Sequence, residues 1–420
     1  MTAVLALDQG TTGSTALVLS ADGRVLGRGY REFTQHFPSP GEVEHDAEEI
    51  LRVTVDAARE AIRQAGVTPA AIGITNQRET VCAWERATGR PVHRAIVWQD
   101  RRTAARCAQL EKQKLFDIGK RAWDRDLLKL FGVPQAALPE VRNSSGDFGT
   151  AASEHFGAAL PITGVAGDQQ AALFGQGCWK PGQAKNTYGT GAFLLLNTGK
   201  HRATSKRGLL TTLACGPRGE PVFALEGSVF IAGAAMQWLR DGLKIIKTAA
   251  ESEQLAKSVT DTGGVYFVPA FVGLGAPHWE PNARGTIVGL TRGSERAHLV
   301  RAALEAMAFS TKEVLDAMLA DAKIKLSSLL VDGGAAANDW LMQFQADVLG
   351  VAVARPDLVE TTALGAAGLA GLGAGLWKSA NAFLAGRTFT PFAPSAARRA
   401  VQARAAEWHR AVQTALHWAG

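Results

Sequence analysis

The chain has little cysteine, little tyrosine and no long apolar run. Its four cysteines, Cys82, Cys107, Cys178 and Cys215, are scattered over 420 residues with no CxxC spacing. That excludes a disulfide scaffold and a zinc ribbon and leaves free thiols of a reducing compartment as the reading. The best membrane candidate, Thr361 to Trp377, is dense in glycine and alanine and short of the ~20 residues a span needs. A tightly packed helix is expected there, and no integral membrane association. Neither charge sign dominates: 45 Lys+Arg against 39 Asp+Glu leave +6, and the basic residues are dispersed, so no nucleic-acid surface is expected. With 46% apolar and 20% charged residues the composition excludes disorder and collagen. The length implies two or three domains. The start MTAVLALDQG has no basic leader region, and it reads as the first strand of a cytoplasmic protein.

Apolar alternation predicts a strand over Val4–Leu7, a polar turn over Asp8–Thr12, a strand over Thr15–Ser20, a turn at Ala21-Asp22-Gly23 and a third strand over Arg24–Phe33. Asp46 followed by Glu49 predicts a helix start, with Ile50, Val53, Val55, Ala58 and Ile62 facing the core to about Ala65. A strand over Ala71–Thr75 delivers Asn76-Gln77-Arg78-Glu79. Helices are expected from Arg101 and from Asp126 to Gly132, and a strand over Pro161–Ala166 ends at Gly167-Asp168-Gln169-Gln170. Gly and Pro cluster at Gly175–Gly182, which sets a boundary between a first domain, 1–176, and a second, 177–420. The second half opens with Ala184–Asn197, broken by Gly189-Thr190-Gly191. A helix over Gly233–Leu243, a strand over Leu329–Asp332 and a C-terminal helix with Val401, Ala405, Trp408, Val412, Ala415 and Ala419 on one face follow. Each half has an apolar strand ending in Asp-x-Gly, at Asp8 and at Asp332, which reads as a faint internal duplication.

Small residues directly after a strand let backbone N–H groups approach phosphate oxygens, and a nearby carboxylate can hold a divalent cation through water. The two Asp-x-Gly turns and Gly189-Thr190-Gly191 suit that use. GxxxxGK[ST] is absent and no GxGxxG follows a strand, so neither the P-loop nor the dinucleotide fingerprint is the solution used. Asp168, at a strand end, suits proton abstraction from a hydroxyl, or equally the capping of the helix that follows. Arg78-Glu79 suits a polyol or an exposed ion pair. Trp98 suits a ligand's carbon chain or the core.

Segments in order along nearly the whole chain resemble the glycerol kinases, a group within the FGGY carbohydrate kinases. These are ALDQGTT at Ala6–Thr12, GEVEHD at Gly41–Asp46, GITNQRET at Gly73–Thr80, AIVWQDRR at Ala95–Arg102, GDQQAALFGQ at Gly167–Gln176, KNTYGTG at Lys185–Gly191, ALEGSVFIAGAAMQWLRD at Ala224–Asp241, VPAFVGLGAPHW at Val268–Trp279, GLTRG at Gly289–Gly293 and VDGGAAAN at Val331–Asn338. The resemblance implies an α/β actin-like ATPase fold, two ribonuclease-H-like domains around a central cleft, and transfer of phosphate from MgATP to glycerol, giving sn-glycerol 3-phosphate. It implies Asp168 as general base. It also implies Arg78, Glu79, Asp168 and Gln169 on the glycerol hydroxyls, with Trp98 and Phe193 against the carbon backbone. ATP would meet Thr11, Thr12, Gly13, Thr190, Gly233, Gln237, Gly334 and Asn338, and Asp8 would hold hydrated Mg²⁺. A homo-oligomer is expected.

Three departures qualify that reading. Between Gln113 and Lys114 the family carries several dozen residues that this chain lacks, including a tyrosine that reaches the glycerol. A kinase for another small polyol, or a catalytically silent nucleotide-binding or regulatory relative, are the alternatives this gap leaves open. Thr15 stands where many relatives have an arginine near the phosphates. His155, in SEHFG, resembles the histidine that some relatives expose to a phosphocarrier protein of the phosphotransferase system, which makes it a regulatory candidate. No glycine-arginine loop for fructose-bisphosphate inhibition is present.

Overall fold

The computed structural model describes residues 2–104, 106 and 116–420. Cys107, the body of the helix expected from Arg101 and the Gln113–Lys114 junction lie outside the described residues. In chain order the principal elements are β1 (Ala3–Gln9), β2 (Gly13–Ser20), β3 (Val25–Glu32), α1 (Ala47–Ala65), β4 (Ala71–Asn76), β5 (Thr150–Ala151), β6 (Leu160–Gly167) and α2 (Asp168–Gly175). Then come β7 (Gln183–Tyr188), β8 (Ala192–Gly199), β9 (Leu210–Cys215), β10 (Pro221–Val229), α3 (Gly233–Gln237), α4 (Arg296–Ala322), β11 (Ser328–Gly333) and α5 (Asp339–Leu349). The chain ends with β12 (Val353–Pro356), α6 (Thr361–Gly373), β13 (Phe389–Phe392) and α7 (Ala405–Trp418).

The contacts divide the chain into two compact units. One holds Met1–Gly177, Cys215–Pro221 and Thr361–Gly386; the other holds Cys178–Ala214, Val222–Glu360 and Arg387–Gly420. These compact units differ from a contiguous division at 176/177 in that Cys215–Pro221 and Thr361–Gly386 pack with the first. α6 belongs to the first unit because it is packed against α2 so closely that a Cβ on Gly365 would stand 1.8 Å from the Ala171 carbonyl oxygen. A helix apolar all round must be buried on every side, and residues Ala363 to Gly371 are buried throughout. Among the described residues no helix is long and apolar enough to cross a membrane.

The first unit's sheet has the order β3-β2-β1-β4-β6-β5. β1, β2 and β3 run antiparallel as consecutive hairpins, β4 and β6 join β1 in parallel, and β5 closes the edge antiparallel. The second unit's sheet, β9-β10-β8-β7-β11-β12-β13, repeats the pattern. There β7, β8 and β10 form the antiparallel part, β11 and β12 the parallel part and β13 the antiparallel edge. Each is the sheet of a ribonuclease-H-like unit. The duplication read from the two Asp-x-Gly turns is thus real in topology, but those turns are not equivalent. Asp8 ends β1, whose counterpart is β7, while Asp332 lies on β11, the counterpart of β4. The true mate of the Asp8 turn is Gly189-Thr190-Gly191.

The local signals work as elementary chemistry requires. Asp46 caps α1 by accepting from the Glu48 and Glu49 amides, and Gly66 closes it in the left-handed region at φ 65°. Val53, Val55 and Ala58 of α1 are buried, together with Ala57 and Ala61. The helix expected at Gly233–Leu243 differs: α3 stops at Gln237 and a wider π-helical turn, Trp238–Gly242, follows. Such turns shift side chains out of the 3.6-residue period and recur at binding sites.

Candidate active site

In the first unit the three parallel strands stop side by side. Asp8 pairs in register with Thr75 at the end of β4, and Gly167, the last residue of β6, pairs with Asn76. Each strand therefore delivers its following residues to one edge, the position where open α/β sheets bind ligands. There Arg78 Nε lies 3.1 Å from Asp168 Oδ1, and the same oxygen accepts from the Gln169 amide at 2.7 Å. Gly167 occupies the N-cap of α2 and Asp168 its first turn, so the reading of Asp168 as the helix's N-cap does not hold. Burial, and next the charge of Asp168, push the Asp8 carboxyl up to about 7. Two carboxylates and one guanidinium thus share a partly desolvated edge, where a proton is held near neutrality.

Trp98 is not core. It is 46% exposed, and its indole N–H donates to Thr11 Oγ1 at 3.1 Å. Thr11 and Thr12 sit in the turn between β1 and β2, which Gly10 closes by donating its amide to the Gly13 carbonyl at 2.9 Å. Glu79 is exposed and holds a left-handed backbone at φ 60°, a conformation costly for a non-glycine residue and concentrated at functional sites. His155 lies at the opposite end of this sheet, just before β6 begins. Its carbonyl and that of Glu154 accept from Arg59, and its ring is 3.8 Å from the Glu154 carboxylate.

The second unit contains a cavity of about 490 Å³. Thr190, Gly233, Gln237, Gly334 and Asn338, the nucleotide candidates of this half, all line it. The residues that follow β7 and β11, Gly189-Thr190 and Gly334-Ala335, supply its floor, α3 and the π turn one wall, and Ala249–Glu253 another. The chain stays tight there because the Gly233 amide donates to the Gly189 carbonyl at 3.0 Å and the Ala234 amide to the Thr190 carbonyl at 3.0 Å. Asn338 caps α5 through the Leu341 amide and turns its side-chain nitrogen toward Ser252 Oγ, 3.4 Å away. Arg240, near the end of the motif Ala224–Asp241, and Ala249, Ala250, Ser252 and Glu253 were not anticipated; the segment of the last four has no motif, only a run of small residues. Phe193, on β8 of this unit, is half-buried and does not line the cavity. The volume suits a nucleotide-sized ligand. Among the described residues there is no group of three or more metal-ligating side chains.

The fold, the convergent strand ends and the glycine-lined cavity define a two-unit sugar-kinase type of protein. The N-terminal domain of the FGGY family of carbohydrate kinases matches residues 3–115 and 112–175, and its C-terminal domain matches 184–374. This chain belongs to the FGGY family of carbohydrate kinases. It is 47% identical to the glycerol kinase of Dechloromonas aromatica, over 99% of this chain and 98% of that protein. It is 46% identical to glycerol kinase 2 of Thermotoga maritima over 99% of each. The crystal structure of Plasmodium falciparum glycerol kinase with ADP superposes with a TM-score of 0.93 at 31% identity, covering 99% of this chain and 98% of that one. A xylulose kinase of Lactobacillus acidophilus, 16% identical with a TM-score of 0.87 over 99% of both chains, shares the fold. The N-terminal family match breaks into two pieces that meet at residues 112–115. The alignment with the Trichlorobacter lovleyi glycerol kinase runs over 494 positions against the 420 residues here. An internal block that relatives carry is absent at that point.

Proposed function

We propose that this chain transfers the γ-phosphoryl group of ATP to a terminal hydroxyl of glycerol, forming sn-glycerol 3-phosphate. The observation that carries the reading is the Arg78–Asp168 pair at the ends of β4 and β6, in a chain whose other unit holds a nucleotide-sized cavity on the expected residues. Asp168 takes the proton of the attacking hydroxyl as general base. Arg78 fixes that carboxylate and, with Glu79 and Gln169, hydrogen-bonds the polyol, while Trp98 flanks its carbons. Phosphoryl transfer asks chiefly for positioning and for stabilisation of charge on the moving group. In the second unit, Thr190, Gly233, Gln237, Gly334 and Asn338 hold the nucleotide; in the first, Thr11-Thr12-Gly13 is a phosphate-binding turn.

Mg²⁺ fits this donor set. It keeps most of its waters and needs one or two carboxylates beside the phosphate oxygens. Asp8, near the end of β1 and close enough to Asp168 to feel its charge, is such a carboxylate in its ionised form. When bound, the ion would neutralise phosphate charge, and Asp8 would be the residue that holds it through water.

The test is ADP release by purified protein with and without glycerol, beside an Asp168→Asn variant that controls for contaminating host kinase. Glycerol-dependent turnover is expected, reduced at least about a hundredfold in the variant, the size of a general-base contribution. The absent block favours one other reading, a kinase for a different small polyol, which turnover with longer polyols in preference to glycerol would establish. No turnover with any polyol, in folded protein that still binds ADP, would leave a silent nucleotide-binding protein.

A further inference from the structure

Six hydrogen bonds in the first unit form a closed ring, both arms of which run from Trp98 to Thr11, and two more tie the ring to Gln9 and Gly10. Trp98 donates its indole N–H to Thr11 Oγ1 at 3.1 Å and its backbone N–H to Thr80 Oγ1 at 3.4 Å. Thr80 donates to Gln77 Oε1 at 2.9 Å. Gln77 Nε2, which has two hydrogens, faces three acceptors, so that one hydrogen is shared: Gln9 Oε1 at 3.3 Å, the Gly10 carbonyl at 3.4 Å and His45 Nδ1 at 3.3 Å. His45 Nε2 meets Gln35 Oε1 at 2.7 Å, and Gln35 Nε2 donates to the Thr11 carbonyl at 3.1 Å, which returns to the start.

The two backbone carbonyls orient the two glutamine amides of this ring. A carbonyl only accepts, so the Gln77 and Gln35 amide nitrogens must point at Gly10 and Thr11. Gln77 then presents N–H to His45, whose Nδ1 must carry the lone pair. Its proton sits on Nε2 and goes to the Gln35 oxygen that remains. Only the neutral Nε2–H tautomer closes the ring, and burial, with the His36 charge as the lesser cause, holds the His45 imidazole below its usual range. His45 and Gln77 are almost wholly buried, so an unmade bond there leaves a desolvated partner behind.

We infer that His45 is a positioning residue that locks the phosphate turn Gln9–Thr11 to the polyol wall Arg78–Trp98, so that neither can shift without the other. The inference rests on the reading of this edge as the phosphate- and polyol-binding site. Its residues come from four separate stretches of sequence: the β1–β2 turn, the loop before α1, the end of β4 and the Trp98 turn. Arg78 and Glu79 sit between Gln77 and Thr80, two members of the ring. Truncating His45 removes one link while touching neither substrate.

The test compares wild type with His45→Ala, His45→Gln and Thr80→Val by steady-state kinetics and by amide hydrogen exchange. In active enzyme, His45→Ala is expected to lower kcat at least tenfold and to raise KM for glycerol and ATP together, with His45→Gln recovering part of both. Exchange is expected to rise in residues 9–12 and 97–99 at once, in the folded protein and without substrate. Thr80→Val, which keeps shape and removes one donor, is expected to loosen the same two segments should His45→Ala fail to fold. Exchange that rises only around residues 43–47, or in only one of the two segments, overturns the inference, as do unchanged kinetics. If wild type shows no turnover, the functional reading has failed, and the exchange result still decides for or against the ring.

Discussion

Asp8 and Thr15 face each other across the β1–β2 hairpin, so their side chains share one face of the sheet. The glycerol-kinase resemblance implies an arginine at the position of Thr15. Without that cation nothing on the facing strand offsets the burial and the Asp168 charge that push Asp8 up to about 7. Thr15→Arg is therefore expected to bring the Asp8 carboxyl down, because an opposite charge at that distance favours ionisation. The acid limb of the nucleotide-dependent rate should move to lower pH, and a pH–rate profile that does not move counts against this account. Stability follows the same group with a definite sign. Between its ordinary value of 3.8 and about 7, folded Asp8 keeps a proton that the unfolded chain has released. Stability in that window consequently falls as pH rises. Asp8→Asn removes this slope, so metal-free urea midpoints at roughly pH 5 and 8 should differ less in the variant than in wild type.

At the scale of elements, α2 and α6 carry Asp168 to its place. α2 is only eight residues long, so its position is set by what it lies against. A Cβ on Gly365 would approach the Ala171 carbonyl to 1.8 Å, and one on Gly175 would approach the Thr361 carbonyl to 2.2 Å. Gly365→Ala would raise intrinsic helix propensity by about 1 kcal/mol. Overpacking against backbone that cannot turn aside costs about 1 to 3 kcal/mol and prevails. A lower urea midpoint and a lower kcat are expected together, since the strain moves the helix whose first residue is Asp168; an unchanged kcat would mean that α2 tolerates the shift. This contact also marks the limit of what sequence can reveal. Strands, caps and the Asp168 turn are local patterns of period and polarity and read directly from the chain. The membership of α6 is decided by small residues some 190 positions from their partners, and the π turn after Gln237 by the cavity it lines. Neither leaves a local signal. The motifs did pick out residues that the fold gathers at the strand ends and five that line one cavity, while the Gln35, His45 and Gln77 links were missed because each is an ordinary polar residue until the fold brings them together.

For the molecule as a whole, one sheet topology appears twice and carries different chemistry each time. The first unit ends its parallel strands in charge, at Asp8, Arg78 and Asp168; the second ends them in glycine and small residues around a cavity of about 490 Å³. The break in the family match falls at residues 112–115, in the first unit's sequence. Every residue lining the cavity comes from the second. Nucleotide binding should therefore survive whatever the missing block does to polyol affinity. ADP at a hundred times its Kd is expected to add about 2.7 kcal/mol to the stability of the protein that binds it. That is a rise of several degrees in Tm. The same rise is expected in Asp168→Asn, which alters only the first unit. It should disappear in Gly233→Val, where even the first side-chain carbon would come within 2.6 Å of the Gly189 carbonyl oxygen and the rest would enter the cavity. Loss of the ADP shift in Asp168→Asn would mean that the nucleotide depends on the first unit as well, and that the shortened segment weakens both substrates.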